Sequence, residues 1–207
     1  YQSEVTDIIA TGGRVSGVVT EAGTIKTRTA VLAGGAWASS FCNQLGVRFP
    51  LATIRQTIVR LAPVEQPLPP ALTSPRVAIT RRPDGHYVLA ISGRGRLDPT
   101  PQLLRFAPQF LPMFAKRWRN VFPGGLDGIR WGHETLAQWK LDAPTPMERA
   151  RILNPKPDPA GVREIHRRAV DLLPALRVAA IAKTGAGDVE STPEGGPGIG
   201  EVSQGPG

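Results

Sequence analysis

The first 46 residues alternate short apolar runs with turns that contain glycine. The runs Val5–Ile9, Val15–Thr20 and Thr24–Arg28 are each of strand length, and the turns Thr11–Arg14 and Glu21–Gly23 separate them. Short β-rich runs bounded by glycine turns are typical of antiparallel hairpins. This stretch therefore predicts a three-stranded β-meander.

A further apolar run, Thr29–Ala33, leads into the glycine pair Gly34–Gly35. We expect a buried strand, a tight turn and then a helix from Trp37 to Leu45, with Gly46 as its C-cap. A helix that starts after a glycine turn exposes backbone N–H groups, which can bind an anion such as a pyrophosphate. The same pattern also occurs in ordinary turns, so the local sequence leaves both interpretations open.

The rest of the chain predicts a mixture of strands and helices. They are strands at Leu51–Leu61 and Val178–Lys183, a hairpin of Arg76–Arg81 and His86–Ser92 around Pro83–Gly85, a strand or short helix at Ile129–Trp139, and a helix at Val162–Leu173. Thr100–Asn120 is also helical in pattern, and Pro108 and Pro112 divide it into two expected helices. We expect loops at Pro63–Pro75 and at residues 144–161, and a glycine-rich tail from Gly185 that is poorly ordered at its end. This pattern favours an α+β fold whose mixed or antiparallel sheet is flanked by helices.

Composition is that of a globular protein of 207 residues, of which 41% are hydrophobic. That fraction is enough to build a core. The sequence has no apolar run of the roughly 18 to 20 residues that a membrane span needs. The N-terminal residues also lack the basic and apolar regions of a signal peptide. We therefore expect no transmembrane segment and a cytoplasmic location.

Candidate metal ligands and nucleophiles are few. The single cysteine, Cys42, and the histidines His86, His133 and His166 have no zinc-ligand spacing, so we expect no metal site. Cys42 lies beside apolar residues of the expected helix, which favours a packed thiol over a catalytic one.

The net charge of +8 comes from arginines that are spread along the chain without an aromatic-basic module. We therefore expect no nucleic-acid partner, and positive potential near an anionic cofactor explains the charge equally well. No GxGxxG motif is present, because Gly93-Arg94-Gly95 is followed by Arg96-Leu97-Asp98.

Three segments together resemble a known family. They are GGRVSGVVTEAGTIKTRTAVLAGGAWAS in the first part of the chain, RRPDGHYVLA at residues 81–90, and TPEGGPGIGEV at residues 192–202. Their order is similar to that in FAD-dependent oxidoreductases of the D-amino acid oxidase, glycine oxidase and sarcosine oxidase superfamily. The resemblance implies that residues 1–46 are part of an FAD-binding domain, with the meander and the last strand of its sheet. It assigns residues 47–177 to a substrate-binding domain and residues 178–207 to the returning FAD-binding domain.

The resemblance also implies site residues. Cofactor contacts are expected at Val5, Ala33, Gly34, Gly35, Trp37, Pro197, Ile199 and Gly200. We expect Gly34–Gly35 to face a cofactor cleft bounded by the glycine segment near the end of the chain. Tyr87 matches a pocket tyrosine, with a core aromatic as the alternative. Arg55 is the candidate cation for a substrate carboxylate, with a solvated strand arginine as the alternative.

The function implied is oxidation of the C–N bond of an amino acid or secondary amine, by hydride transfer to flavin. Members of the superfamily begin with a dinucleotide fingerprint and end with a glycine-rich stretch along the flavin. Neither is present here, so we expect an interior fragment that by itself is inactive and binds FAD weakly. The alternative is a truncated or decayed binding module that keeps the substrate-domain fold without catalysis. The sequence makes no prediction about the oligomeric state.

Overall fold

The computed structural model describes residues 3–65, 70–125, 136–140, 142–196 and 198–201. Its strands are β1 (Val5–Thr11), β2 (Arg14–Thr20), β3 (Gly23–Lys26), β4 (Ala52–Leu61), β5 (Ala71–Thr73), β6 (Ala78–Arg81), β7 (Tyr87–Ala90), β8 (Gly95–Leu97), β9 (Val121–Pro123) and β10 (Ile181–Ser191). Its α-helices are α1 (Ala38–Gln44), α2 (Pro101–Arg117), α3 (Pro146–Arg149) and α4 (Pro159–Leu172), and 3₁₀ turns lie at Gly35–Trp37 and Pro174–Val178. No helix among these residues is long and apolar enough to cross a membrane.

The predicted meander is confirmed. β1, β2 and β3 form an antiparallel sheet in chain order. Gly12 and Gly13 form the first turn at φ values of +59° and +75°, which residues with a Cβ rarely adopt.

The larger sheet is built around β4. β10 pairs with one edge of β4 over almost its whole length, from Ile181 opposite Leu61 to Ser191 opposite Ala52. β7 and β8 share the other edge of β4, β5 and β6 continue beyond β7, and β9 lies parallel to β8. The remaining pairings are antiparallel, so the expected mixed sheet within an α+β fold is confirmed.

Two helices cover different parts of this sheet. On one face, α4 packs on a core that includes Val59, Leu61, Leu89 and Ile165. Near the start of β4, α2 packs Phe106, Phe110 and Met113 around the fully buried Ala52. Alternation along β4 and the 3.6-residue period of α4 are the local patterns that predicted these elements.

The predicted strand Thr29–Ala33 is wrong. These residues form neither helix nor strand, and no described strand pairs with them. Val31 is 88% exposed where the prediction required burial. A strand is defined by hydrogen bonds to its neighbours, and an apolar run cannot by itself supply them.

The prediction of two helices at Thr100–Asn120 is also wrong, because α2 is continuous through Pro108 and Pro112. Each proline removes one N–H donor, which leaves the carbonyls of Leu104 and Pro108 without their usual helical partner. Both prolines are exposed and lie four residues apart on one side of the helix. Water can therefore reach the freed carbonyls, and the helix continues.

Several loop and strand boundaries differ from the prediction. β5 lies inside the expected Pro63–Pro75 loop and α3 inside the loop at residues 144–161, while β8 and β9 were not predicted. β10 starts at Ile181, because residues 174–178 form a 3₁₀ turn, and it extends into the glycine-rich segment as far as Ser191. Pairing with β4 orders this part of the segment. The end of the tail, where poor order is expected, lies outside the described residues. Most of the predicted element Ile129–Trp139 lies outside the described residues, and the domain boundaries at residues 46 and 177 stay predictions.

Candidate functional site

A cleft of about 390 Å³ lies between the Gly34–Gly35 turn and the segment that follows β10. Pockets that bind small molecules and cofactors start at roughly 300 Å³. The walls come from three parts of the chain that the fold brings together. The lining residues are Leu32, Ala33, Gly34, Gly35, Ala38, Phe49, Leu51, Glu190, Ser191, Thr192, Gly195, Gly196 and Gly198. The glycine turn therefore faces a cleft bounded by the second glycine segment, as the resemblance implied.

At Gly35 no side chain fills the cleft. Its φ is +52°, and a Cβ placed there would meet no atom within 4 Å. Gly35 also starts the 3₁₀ turn that leads into α1, and the first N–H groups of such a turn have no partner within it. A ligand can thus approach the backbone closely at this point.

The opposite wall is held by specific contacts. The Ser39 hydroxyl of α1 donates a hydrogen bond of 2.6 Å to the Phe49 carbonyl. A Cβ on Gly198 would lie 3.2 Å from the Phe49 ring, so this close approach favours glycine. Glu190 is the one charged side chain among the lining residues that the structure describes, and Thr53 donates a 2.9 Å hydrogen bond to its Oε2.

A second, more apolar groove of about 650 Å³ lies on the other side of the Leu32–Gly34 segment. This segment separates the two hollows and lines both. Val5 and Trp37, two of the expected cofactor contacts, line the groove, as do Phe41 and Ile8. The structure thus gathers the first five expected contacts around two adjoining hollows.

The remaining expected cofactor contacts are not in either wall. Ile199 and Gly200 are exposed and line neither hollow, and Ile199 is 92% accessible to solvent. Pro197 lies outside the described residues. Their role as cofactor contacts stays a prediction.

Tyr87 lies in the core between the sheet and α4, with 1% of its surface exposed. It belongs to the same cluster as Leu61, its partner across β4 and β7. This position favours the core aromatic over the pocket hydroxyl. The catalytic assignment of Tyr87 stays a prediction that its burial does not support.

Arg55 is an ion-paired residue of the sheet. Its Nη2 lies 2.9 Å from Oδ1 of Asp98, and its Nη1 donates to the Lys156 carbonyl at 3.0 Å. Asp188 is its register partner on β10. The guanidinium already binds a carboxylate of the protein, so it is neither solvated nor open to a substrate carboxylate in this arrangement. Its substrate-binding role likewise stays a prediction.

The sequence does not predict a buried ion cluster that forms around Asp158. Asp158 caps α4 and accepts hydrogen bonds from Arg94 at 3.1 Å and from Arg96 at 2.9 Å. Burial by itself raises the pKa of Asp158, but the hydrogen bonds from Arg96 and Arg94 outweigh it and hold the pKa at about 2. An Asp immediately before Pro159 is a sequence signal for a helix start, whereas nothing in the sequence identifies its arginine partners.

Two other groups have structural explanations. Burial raises the pKa of the Cys42 thiol to about 11, which agrees with a packed, unreactive cysteine. Carboxylate oxygens of Glu4, Glu21 and Glu148 lie within 4.8 Å of one another. Arg151 pairs with the first two at 3.2 Å and 3.6 Å, so a cation of the protein already balances this cluster.

The fold is of the α+β class, with a short meander, a large mixed sheet and a glycine-lined cleft beside the Gly34–Gly35 turn. The family described as FAD dependent oxidoreductase, DAO, matches residues 1–207. The chain belongs to this FAD-dependent family, and the resemblance drawn from the sequence is confirmed.

Individual relatives agree with this membership. A glycine oxidase of Pseudomonas putida is 29% identical, over 64% of this chain and 41% of the oxidase. The structure of L-amino acid deaminase from Proteus vulgaris superposes with a TM-score of 0.84 at 22% identity, covering 97% of this chain and 47% of the deaminase. The deaminase from Proteus myxofaciens, solved in complex with anthranilate, gives 0.83 at 25% identity, with 97% and 45% covered. The chain thus spans less than half the length of the relatives it matches.

Proposed function

We propose that this chain supplies one wall of the FAD site and the sheet of the substrate domain in an oxidoreductase that oxidises the C–N bond of an amino acid or amine. One observation carries the proposal. The Gly34–Gly35 turn, which the resemblance assigned to the cofactor, lines the same cleft as Gly195, Gly196 and Gly198. These three glycines belong to the glycine-rich segment in which the resemblance placed its other cofactor contacts, near the far end of the chain.

The residues of the cleft fit part of an extended, amphipathic cofactor. Gly35 offers backbone N–H groups and open space where a Cβ would stand. Phe49 and Leu51 offer an apolar wall, and Glu190 offers one carboxylate that can accept hydrogen bonds from hydroxyl or amide groups. The adjoining groove around Val5 and Trp37 offers a larger apolar surface on the other side of the same segment.

The residues of this chain would bind the cofactor and orient it relative to the substrate. Bound FAD supplies a ring that accepts the hydride from the substrate carbon. The glycine turn fixes the backbone beside the cofactor, and the apolar wall keeps water away from it. The names of the relatives, glycine oxidase and L-amino acid deaminase, support an amino acid as the substrate class.

The test compares two glycine variants in the full-length gene product. Gly35→Ala places a Cβ in the cleft, whereas Gly12→Ala places one in the β1–β2 turn. Both glycines have similar positive φ values, and at neither would the Cβ meet an atom within 4 Å. Each substitution therefore carries the same backbone cost of about 1 kcal/mol, and only the first occupies the cofactor cleft.

We expect Gly35→Ala to weaken FAD binding by tenfold or more in a fluorescence titration, which corresponds to ~1.4 kcal/mol. Gly12→Ala should leave it unchanged. Equal affinities in the two variants would overturn the assignment of this cleft to FAD. A purified protein without visible flavin absorbance, and unable to acquire it from added FAD, would instead favour the non-catalytic binding module.

A further inference from the structure

Helix α2 carries a second apolar face on the side opposite the core. Leu104, Leu111 and Trp118 follow one another at intervals of seven residues, and they are 59%, 62% and 66% exposed. Residues seven apart differ by only about 20° around a helix, so these three side chains form a line. We call the following set the outer stripe: Leu104, Pro108, Leu111, Pro112, Ala115 and Trp118, all of them exposed.

Positive charges border the outer stripe. Residues 101–120 contain no aspartate or glutamate, and Arg105, Lys116 and Arg119 lie within about 120° of Leu104 around the helix. Arg117 lies on another side of the helix, where its Nη2 would be 3.6 Å from a Cβ on Gly195. Arg105 donates to the neutral Asn43 amide oxygen at 2.6 Å, and the Arg119 guanidinium lies 5.1 Å from the centre of the Trp118 ring. Neither contact supplies a negative charge, and both side chains lie beside an apolar surface.

We propose that the outer stripe docks this protein on the surface of an anionic lipid membrane, with α2 lying in the plane of the bilayer. Leucine and tryptophan on one face with lysine and arginine beside them is the composition of helices that bind membrane interfaces. The stripe runs from Leu104 in the first turn of α2 to its C-cap residue Trp118, a distance of about 21 Å. The lipid headgroups would supply the negative charge that the helix itself lacks.

The two prolines favour a membrane surface over a protein partner. They leave the carbonyls of Leu104 and Pro108 without helical N–H partners, on the side that carries the stripe. A dry protein interface would bury these carbonyls without a hydrogen-bond partner, which is unfavourable. The headgroup level of a bilayer is hydrated, so water can continue to bind them there.

The test is flotation of the full-length gene product with phosphatidylglycerol–phosphatidylcholine vesicles and with phosphatidylcholine vesicles. We expect binding to the anionic vesicles only. Lys116→Glu combined with Arg119→Glu should lower the partition coefficient by at least about tenfold, since each basic residue near the surface contributes ~1 kcal/mol. Leu104→Gln combined with Leu111→Gln should lower it similarly, because these side chains supply the apolar contact.

Matched controls lie elsewhere on the surface. Arg163→Glu combined with Arg177→Glu makes the same change in net charge at exposed positions outside α2. Val178→Gln removes an apolar side chain that is 85% exposed. Both controls should bind the anionic vesicles like the parent protein.

Three results would overturn the proposal. The first is no binding of the parent protein to the anionic vesicles, and the second is equal loss in the charge variant and its control. The third is self-association of the parent protein in sedimentation velocity that is absent in the Leu104→Gln, Leu111→Gln double variant. That result would assign the stripe to contact with a second copy of the chain. Flotation does not depend on bound flavin, so failure here leaves the proposed function standing.

Discussion

Arg94 and Asp158 form an ion pair in which both side chains are almost completely buried, with Nη1 lying 3.1 Å from Oδ2. The pair joins the loop before β8 to the first turn of α4. A Cβ on Gly161 would lie 2.6 Å from the same Arg94 nitrogen, so the arginine also packs closely against the helix backbone. One carboxylate and two arginines thus add to the apolar core in fixing the position of α4 over the sheet.

The first prediction is that Asp158→Ala destabilises the fold by about 3 to 5 kcal/mol. It leaves the buried Arg94 with only its longer, 3.6 Å ion pair to Glu164, and it removes the cap of α4. Asp158→Asn should cost less, since asparagine can still cap the helix. Urea unfolding measures the change in unfolding free energy for both variants.

Asp171→Ala on the same helix is the control. Its carboxylate is exposed and pairs with Arg76 and Arg167 at the surface, so it should cost no more than about 1 kcal/mol.

The second prediction concerns the contribution of Asp158 to the free energy of unfolding at low pH. The folded pKa of Asp158 is about 2 and its ordinary value is 3.8, so the folded state favours the ionised form. This contribution is therefore fully present above about pH 4 and is lost as the pH falls through about 2, and it is on the order of 2 kcal/mol. The difference in unfolding free energy between the parent and Asp158→Asn should shrink over that range. A difference that stays constant from pH 6 down to about pH 2 would contradict the assignment.

The third prediction concerns Asp188 and its neighbour Asp98. Burial and then the charge of Asp98 raise the pKa of Asp188, while Arg55 lowers it. The pKa of Asp188 is therefore higher in the folded state than in the unfolded state. Ionisation of Asp188 lowers the free energy of unfolding, and this loss develops as the pH rises from the unfolded pKa through the folded pKa. Asp188→Asn should therefore leave the protein as stable at neutral pH, or more stable by up to about 1 kcal/mol.

Asp98→Asn provides the contrast to Asp188→Asn. It breaks the 2.9 Å ion pair with Arg55 and leaves that largely buried guanidinium without the carboxylate. Burial raises the pKa of Asp98 against the opposing effect of Arg55, so removal of the Asp98 charge recovers part of this loss. We expect a loss of about 1 to 3 kcal/mol in thermal or urea unfolding. If the two substitutions destabilised the protein equally, Asp188 would be as much a partner of Arg55 as Asp98 is.

The fourth prediction follows from the continuous α2. Pro112→Ala restores an N–H donor to the Pro108 carbonyl and should stabilise the fold by about 1 to 3 kcal/mol. Pro101→Ala is the control, because proline at the first helical position removes no hydrogen bond. It should change the stability by less than about 0.5 kcal/mol. A decrease in stability for Pro112→Ala would indicate that the proline shapes the helix for packing.

The sequence by itself determined the elements whose signals are local. The meander follows from glycine turns between strand-length runs, and the hairpin of β6 and β7 follows from Pro83-Asp84-Gly85. Alternation determined β4, and helical periodicity determined α4. The three motifs also identified the FAD-dependent family, because its residues occur in the same order along the chain.

The tertiary structure alone decided the pairings between distant residues. β10 is ordered because it pairs with β4, more than a hundred residues earlier in the chain, and the Thr29–Ala33 run stays unpaired because no described strand lies beside it. The helix α2 continues through Pro108 and Pro112 because both residues are exposed to solvent. Asp158 lies between two arginines because β8 and the residue before it lie close to the start of α4. Local propensity acts through neighbours in the chain, whereas sheet pairing, burial and ion pairing act through neighbours in space. The sequence therefore predicted most elements, and the three-dimensional fold decided where they meet.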